Sequence, residues 1–171
     1  MYPDLCIKSS GYIRGCSRLE ISTLFEKPYH YKEVSRMIYQ ELVLGTSSKM
    51  TLEDVEHFFE NTNVEKFPIT FISIIENECV GTVSVFKNDY KERPQYSPWL
   101  ASLYVKPQYR DKKIGQHLLT HLLNHLKTLN YTEVYLKTEN ASAYYQKRGW
   151  ELIESVNSPD TDSVDIFRYI L

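Results

Sequence analysis

The chain has 171 residues, 42% hydrophobic and 25% charged, with only 6 Gly and 7 Pro, enough to bury one good core and too little flexible composition for a long disordered tract. A formal net charge of −2 supplies no global field to attract nucleic acid, so any anion site has to be built locally. Cys6, Cys16 and Cys79 lie in no metal-like cluster, and no apolar run reaches signal-peptide or membrane length, which points to a reduced cytoplasmic protein without a membrane or nucleic-acid partner.

Residues 1–18 show no periodicity and read as an N-terminal extension; residues 19–171 read as a single domain, monomeric or homodimeric. A Cys6–Cys16 disulfide is conceivable there, but free thiols are the better expectation without a secretion signal. "LEISTL" (19–24) is a short strand. Pro28 opens a helix whose stripe of Val34, Met37, Ile38 and Leu42 runs to about Leu44, with Gly45 as its stop. Thr51 followed by Asp54 caps a second helix, "TLEDVEHFFENT", with Leu52, Val55, Phe58 and Phe59 on one side.

"PITFISIIE" and "CVGTVSVFK" form a hairpin around Asn77 and Glu78. The loop "NDYKERPQYSP" leads into the strand "WLASLYVK". The third helix runs from Ile114 to about Asn130 on a leucine stripe. "TEVYLKT" is a strand, "ENASAYYQKR" a short helix stopped by Gly149, and "WELIESV" and "SVDIFRYI" are two last strands around Pro159 and Asp160. The resulting β-α-α-β-β-β-α-β-α-β-β order is an α/β fold with a mixed, largely antiparallel central sheet and flanking helices.

The informative stretch is "VKPQYRDKKIGQHLL" (105–119). A helix N-terminus leaves backbone N–H groups unpaired and carries positive dipole, so a strand delivered into one builds an anion site from the backbone. Arg110, Lys112 and Lys113 add cations, Pro107 stops the strand, and Gly115 allows close approach of a group such as a pyrophosphate.

"LYVKPQYRDKKIGQHLL", followed by "VYLKT" and "ASAYYQKRGW", resembles the acetyl-CoA-binding core of the GCN5-related N-acetyltransferase (GNAT) family. That family's signature, an Arg or Gln, two residues, a Gly, one residue, then Gly or Ala, falls on Arg110, Lys113 and Gly115. Lys therefore replaces the middle Gly, and Asp111 stands where a Gly is common. A second motif matches at Ala143, Tyr144, Tyr145, Gly149 and Trp150. The element order extends the resemblance over residues 19–171, and "RPQYSPWLASLYV" is similar to a bacterial subgroup mostly described no further than as acetyltransferases.

The resemblance implies the acyl-CoA N-acyltransferase fold and direct acetyl transfer from acetyl-CoA to a primary amine of a small molecule or peptide, with no metal. By carry-over, Leu103, Tyr104 and Val105 offer backbone groups to the pantetheine, and an N–H at a Leu103–Tyr104 bulge polarises the thioester carbonyl. The N–H groups of Arg110, Asp111, Lys112, Lys113, Ile114, Gly115 and Gln116 hold the pyrophosphate. Tyr145 takes the position of the acid that protonates the departing thiolate.

A lysine-type amine, with a reference pKa of about 10.4, also needs a base or a desolvating site before it can attack. Glu41, Glu33 and Asp89 are the candidate carboxylates, each also readable as a solvated surface group. His117, His121 and His125 share a helix face, yet no carboxylate or cysteine completes a metal set, and half-exposed histidines bordering a leucine stripe are the simpler reading. Trp99 and Trp150 read as core anchors, and Arg93 as a solvated loop charge or an acceptor contact. A polyamine or aminoglycoside is the alternative acceptor, and a non-catalytic acyl-CoA-binding or regulatory module the alternative function, motivated by the glycines lost at Asp111 and Lys113.

Overall fold

The computed structural model describes residues 6–7, 17–46, 48–158 and 161–171. The Cys6–Cys16 pairing and the turn at Pro159 and Asp160 lie outside the described residues. The strands are β1 (Cys6–Ile7), β2 (Ser17–Thr23), β3 (Ile69–Ile75), β4 (Glu78–Phe86), β5 (Trp99–Val105), β6 (Glu133–Thr138), β7 (Glu151–Ser158) and β8 (Thr161–Ile170). The helices are α1 (Tyr31–Ile38), α2 (Leu52–Glu60), α3 (Ile114–Thr128) and α4 (Ser142–Gln146). β5 runs parallel to β6, whereas β1/β2, β2/β3, β6/β8 and β7/β8 are antiparallel, which gives the mixed, largely antiparallel arrangement expected.

The chain groups into two compact units, residues 1–84 with 102–122 and residues 85–101 with 123–171, the divisions falling inside β4, β5 and α3. In the first unit the strands lie in the order β1-β2-β3-β4 and continue to the C-terminal half of β5. β1 adds a short strand from the N-terminal extension to the edge of β2. All seven residues of β3 are buried, so its apolar run is continuous because both faces are covered, not one. Of the buried hydroxyls on β3 and β4, Thr70 Oγ1 meets Ser84 Oγ at 2.9 Å and Thr82 Oγ1 donates to the Phe71 carbonyl at 3.2 Å, whereas Ser73 Oγ has no hydrogen-bond partner among the described residues.

The β3–β4 turn is Glu76 and Asn77, one residue earlier than the sequence suggests, with both residues left-handed at φ 50° and 67°. Two consecutive positive φ values are what a two-residue hairpin needs, and Asn tolerates them.

Helices α1 and α2 pack their apolar stripes into the core of this unit, where Val34, Met37, Ile38, Val55 and Phe59 meet Ile72, Ile74 and Cys79. Thr51 and Asp54 do cap α2: Thr51 Oγ1 accepts from the Asp54 N–H at 3.2 Å and Asp54 Oδ2 accepts from the Thr51 N–H at 2.7 Å. The first helical stretch is not uniform. A 3₁₀ turn at Pro28–His30 precedes α1, and a π turn at Tyr39–Val43 follows it, closed by the Leu44 N–H on the Tyr39 carbonyl at 2.7 Å. Gly45, at φ 84°, then leads the chain away.

In the second unit β5, β6, β8 and β7 lie in that order. Trp99 is fully buried against Tyr135 and Ile166, with Tyr90 and Tyr96 against the same cluster. Its indole N–H donates to the Tyr96 carbonyl at 2.6 Å, so the ring's one polar atom is satisfied. Trp150, 4% exposed, anchors the start of β7 against Tyr145 and Tyr169.

Candidate active site

The turn after β5 is built as the sequence suggests, with an added cost. Pro107–Tyr109 form a 3₁₀ turn, Arg110 is extended, and the Lys113 carbonyl accepts the first α3 bond from the His117 N–H at 3.0 Å. That leaves the N–H groups of Ile114, Gly115 and Gln116 without an intrahelical acceptor, at the positive end of a 15-residue helix. Lys113, where the signature has Gly, and Asp111, where a Gly is common, are both left-handed, at φ 60° and 62°. The loop therefore keeps a glycine-type backbone with non-glycine residues, at about 1–2 kcal/mol for a residue such as Lys.

The Arg110 side chain turns back onto the end of β5. Its Nε donates to the Val105 carbonyl at 3.0 Å and its guanidinium lies 5.6 Å from the Tyr104 ring centre, so it buttresses the end of β5. Lys112 lies over the Tyr109 ring at 5.3 Å, and Lys113 is exposed.

Within β5 the backbone irregularity is at Ser102, φ 55°, one residue before the expected Leu103–Tyr104 bulge. A left-handed residue inside a strand re-aims the peptide group that follows it, here the one that carries the Leu103 N–H. In the second unit Trp99 pairs with Tyr135 in the parallel β5/β6 register. On the β4 side the approach is tight. A Cβ on Gly81 would sit 2.9 Å from the Tyr104 carbonyl oxygen, which only Gly permits.

In the first unit, α1, the π turn and β5 line a cavity of about 480 Å³ that includes Glu33, Arg36, Met37, Glu41, Tyr104 and Lys106. Of the carboxylates proposed as base, Glu41 lines this cavity. Burial holds the Tyr104 phenol above the ordinary tyrosine range, and the neighbouring Glu41 carboxylate pushes the same way. Glu33 also lines it but is committed: Oε1 takes the Lys106 ammonium at 2.9 Å, and Oε2 meets His30 Nδ1 at 3.0 Å and the Cys79 N–H at 3.3 Å. Lys106 bridges on to Glu78 at 2.8 Å, whose other oxygen accepts from the Tyr109 hydroxyl at 2.8 Å. Burial pulls the Lys106 ammonium down, but its bonds to Glu78 and Glu33 outweigh it and hold it above the ordinary lysine value. Sequence reasoning missed Lys106, Tyr109 and Arg36, because the first two meet their partners across elements and a lone Arg on a helix face carries no local signal.

In the second unit Asp89 is paired with Lys137 at 3.3 Å, and burial raises its carboxyl above the ordinary range. The Lys137 ammonium also donates to the Asp89 carbonyl at 2.7 Å and lies over the Tyr90 ring at 5.1 Å. Arg93 clasps Glu154, its Nε donating to the two carboxylate oxygens at 3.0 and 2.9 Å, which makes it a loop anchor instead of a solvated charge.

Tyr145 is 9% exposed, its ring against Tyr144, Trp150 and Phe167. Burial pushes its phenol up to about 12, so it stays protonated throughout the neutral range. On α3, His121 Nδ1 bonds the His117 carbonyl at 2.8 Å, and among the described residues no group of three His, Cys, Asp or Glu is placed to hold a metal ion.

A family model described as the Acetyltransferase (GNAT) family matches residues 35–150. No curated protein matches the chain. Several solved structures share the fold. An aminoglycoside 6'-N-acetyltransferase complexed with coenzyme A is 15% identical, with a TM-score of 0.70 over 88% of this chain and 96% of that one. An acetyltransferase from Streptococcus agalactiae 2603 is 21% identical, with a TM-score of 0.66 over 90% and 98%. A Salmonella typhimurium protein solved with acetyl-CoA is 12% identical, with a TM-score of 0.66 over 89% and 93%. With more than half of its length inside the family model, and with strand order, glycine-type turn and aromatic second motif in place, the chain belongs to the acetyltransferase (GNAT) family.

Proposed function

We propose that residues 19–171 act as one catalytic domain that binds acetyl-CoA and transfers its acetyl group directly to a primary amine. The observation that carries this is the left-handed backbone at Asp111 and Lys113, since it preserves the turn that frees the Ile114, Gly115 and Gln116 N–H groups although both glycines are gone. The same observation weakens the alternative of a non-catalytic acyl-CoA-binding module, whose motive was the loss of those glycines. Coenzyme A and acetyl-CoA bound to fold neighbours support the choice of co-substrate. The buried, free Cys79 fits a reduced, cytoplasmic setting.

Acetyl-CoA brings an activated thioester. In the reaction the amine nitrogen forms the amide bond as the carbon–sulfur bond breaks. The chain's groups move the protons: Glu41 takes one from the ammonium, Tyr145, held protonated by burial, gives one to the leaving thiolate, and the second proton shed by the acylated nitrogen restores the phenol. The peptide after Ser102 and the edge at Leu103, Tyr104 and Val105 supply the backbone donors and acceptors for the thioester arm. Asp89, already paired with Lys137, enters this reading as an ion-pair partner.

The test is calorimetric titration with acetyl-CoA, followed by thiol release in the presence of an amine panel. Saturable one-site binding is expected. Tyr145→Phe should keep that binding while slowing thiol release about 100-fold, the lower end of general-acid effects. Folded wild-type protein that binds no acetyl-CoA overturns the proposal.

A further inference from the structure

The cavity beside α1 contains charges of both signs, and its cations are not equally occupied. Lys106 is neutralised by Glu33 and Glu78 at 2.9 and 2.8 Å. Arg36 and Lys32, four residues apart on the same face of α1, also line the cavity, and among the described residues neither has an acidic partner. Lys32 only lies near the Tyr31 ring, at 5.8 Å. Like charges at this spacing repel each other on a helix surface. Glu33, the acid next to them in sequence, could relieve that repulsion but is turned to Lys106, His30 and the Cys79 N–H. The chain thus holds two uncompensated cations at one wall of the cavity.

Glu41 and Tyr104 line the same cavity. The π turn contributes to this arrangement. In a regular α-helix a residue five positions on from Arg36 would point well away from it. The widened turn at Tyr39–Val43 accommodates an extra residue, and Glu41 lines the same cavity as Arg36. A carboxylate and a guanidinium without a mutual ion pair present two separate recognition points within about 480 Å³, the size range of small-molecule sites.

We propose that the acceptor is a small primary amine carrying its own oxyanion, a carboxylate or a phosphate, which Arg36 and Lys32 bind while the amine faces Glu41 and Tyr104. This rests on the acetyltransferase reading above and adds no chemical step to it. Guanidinium is suited to the task, because its planar fork matches either oxyanion with paired hydrogen bonds. Polycationic acceptors, including polyamines and aminoglycosides, meet like charge at the same wall and are disfavoured.

The experiment compares matched amines that differ by the oxyanion: 5-aminopentanoate with pentylamine, and O-phosphoethanolamine with ethanolamine, with spermidine as the polycation. In the wild type, kcat/KM should be about tenfold higher or more for the oxyanion member, and the larger of the two ratios tells carboxylate from phosphate. Arg36→Ala should abolish most of that ratio and Arg36→Glu should shift preference to spermidine, while the acetyl-CoA Kd stays within about twofold. Arg36 is exposed, and a thermal melt of each variant checks that it folds.

Equal kcat/KM within both pairs, or a preference that survives Arg36→Glu, overturns this inference and leaves the acetyltransferase reading standing. Acetyl-CoA binding without transfer to any amine fells the acetyltransferase reading instead. In that event titration with 5-aminopentanoate still decides the anion site: saturable binding lost in Arg36→Glu supports it, and absence of binding overturns it.

Discussion

The left-handed residues after β5 separate what a motif states from what a backbone requires. The sequence makes the turn legible through spacing, since Pro107, the basic cluster and Gly115 are local signals. It leaves open whether Asp111 and Lys113 break it, because left-handed geometry depends on what the neighbouring strand and helix impose. Both residues adopt that geometry, at φ 62° and 60°, yet their costs differ. Asp bonds locally to its own backbone and visits this region readily, whereas Lys gains nothing there. Lys113→Gly should therefore stabilise the protein by up to about 1 kcal/mol, the relief of the left-handed conformation being partly offset by the freer unfolded chain. In a melt that corresponds to about 2–4 °C for a chain of this size. Asp111→Gly should be close to neutral. A Lys113→Gly variant less stable than wild type would show that the lysine side chain makes a compensating contact.

Element pairing shows a different limit of the sequence. The stripes of α1, α2 and α3 were legible because burial repeats with helix period, and the Thr51 cap because it is a local pattern. The π turn at Tyr39–Val43 was not, since no local pattern marks an inserted residue, and Leu42, expected on the buried stripe, is 44% exposed. The Glu33–Lys106–Glu78 cluster was equally hidden, as it joins α1, the start of β4 and the end of β5. Lys106→Met should cost on the order of 1 kcal/mol, the partial exposure of these groups screening a larger value, by leaving Glu33 and Glu78 facing each other. Adding Glu78→Gln to that variant should recover part of the loss in urea unfolding, a recovery that independent sites would not show. Gly81→Ala tests the adjacent strand contact. Its Cβ would meet backbone at 2.9 Å, so either β4 or β5 must shift, with an expected loss of about 1–3 kcal/mol.

For the molecule as a whole, buried weak acids dictate behaviour at high pH, which neither composition nor motif spacing expresses. In the first unit, burial pushes the Cys79 thiol from its ordinary 9.0 to about 12. In the second, burial pushes Tyr145 from 10.0 to about 12. Tyr135 follows to about 12, through burial and its bond to Glu133. Each folded pKa lies above the unfolded one, so the folded state holds protons that the unfolded chain releases, and stability falls as pH rises between those values. The contribution is complete below about pH 9, begins to fade as unfolded Cys79 ionises, and is gone once pH passes the folded values near 12. For Tyr145 alone the loss is of order 2–3 kcal/mol. Urea unfolding from pH 8 to 11.5 should therefore show a midpoint that holds up to about pH 9 and then declines. Tyr145→Phe should match wild type near pH 8 and decline less steeply above pH 10, because Phe has no proton to lose. Cys79→Ala should start lower, having lost packing, and keep its midpoint further into the pH 9–10 range. A Tyr145→Phe variant with an unaltered alkaline slope would mean that the phenol reaches water in the folded state, and the protonated acid assigned to acetyl transfer would then have to be sought at Tyr104, a buried phenol with a raised range that lines the cavity beside Glu41.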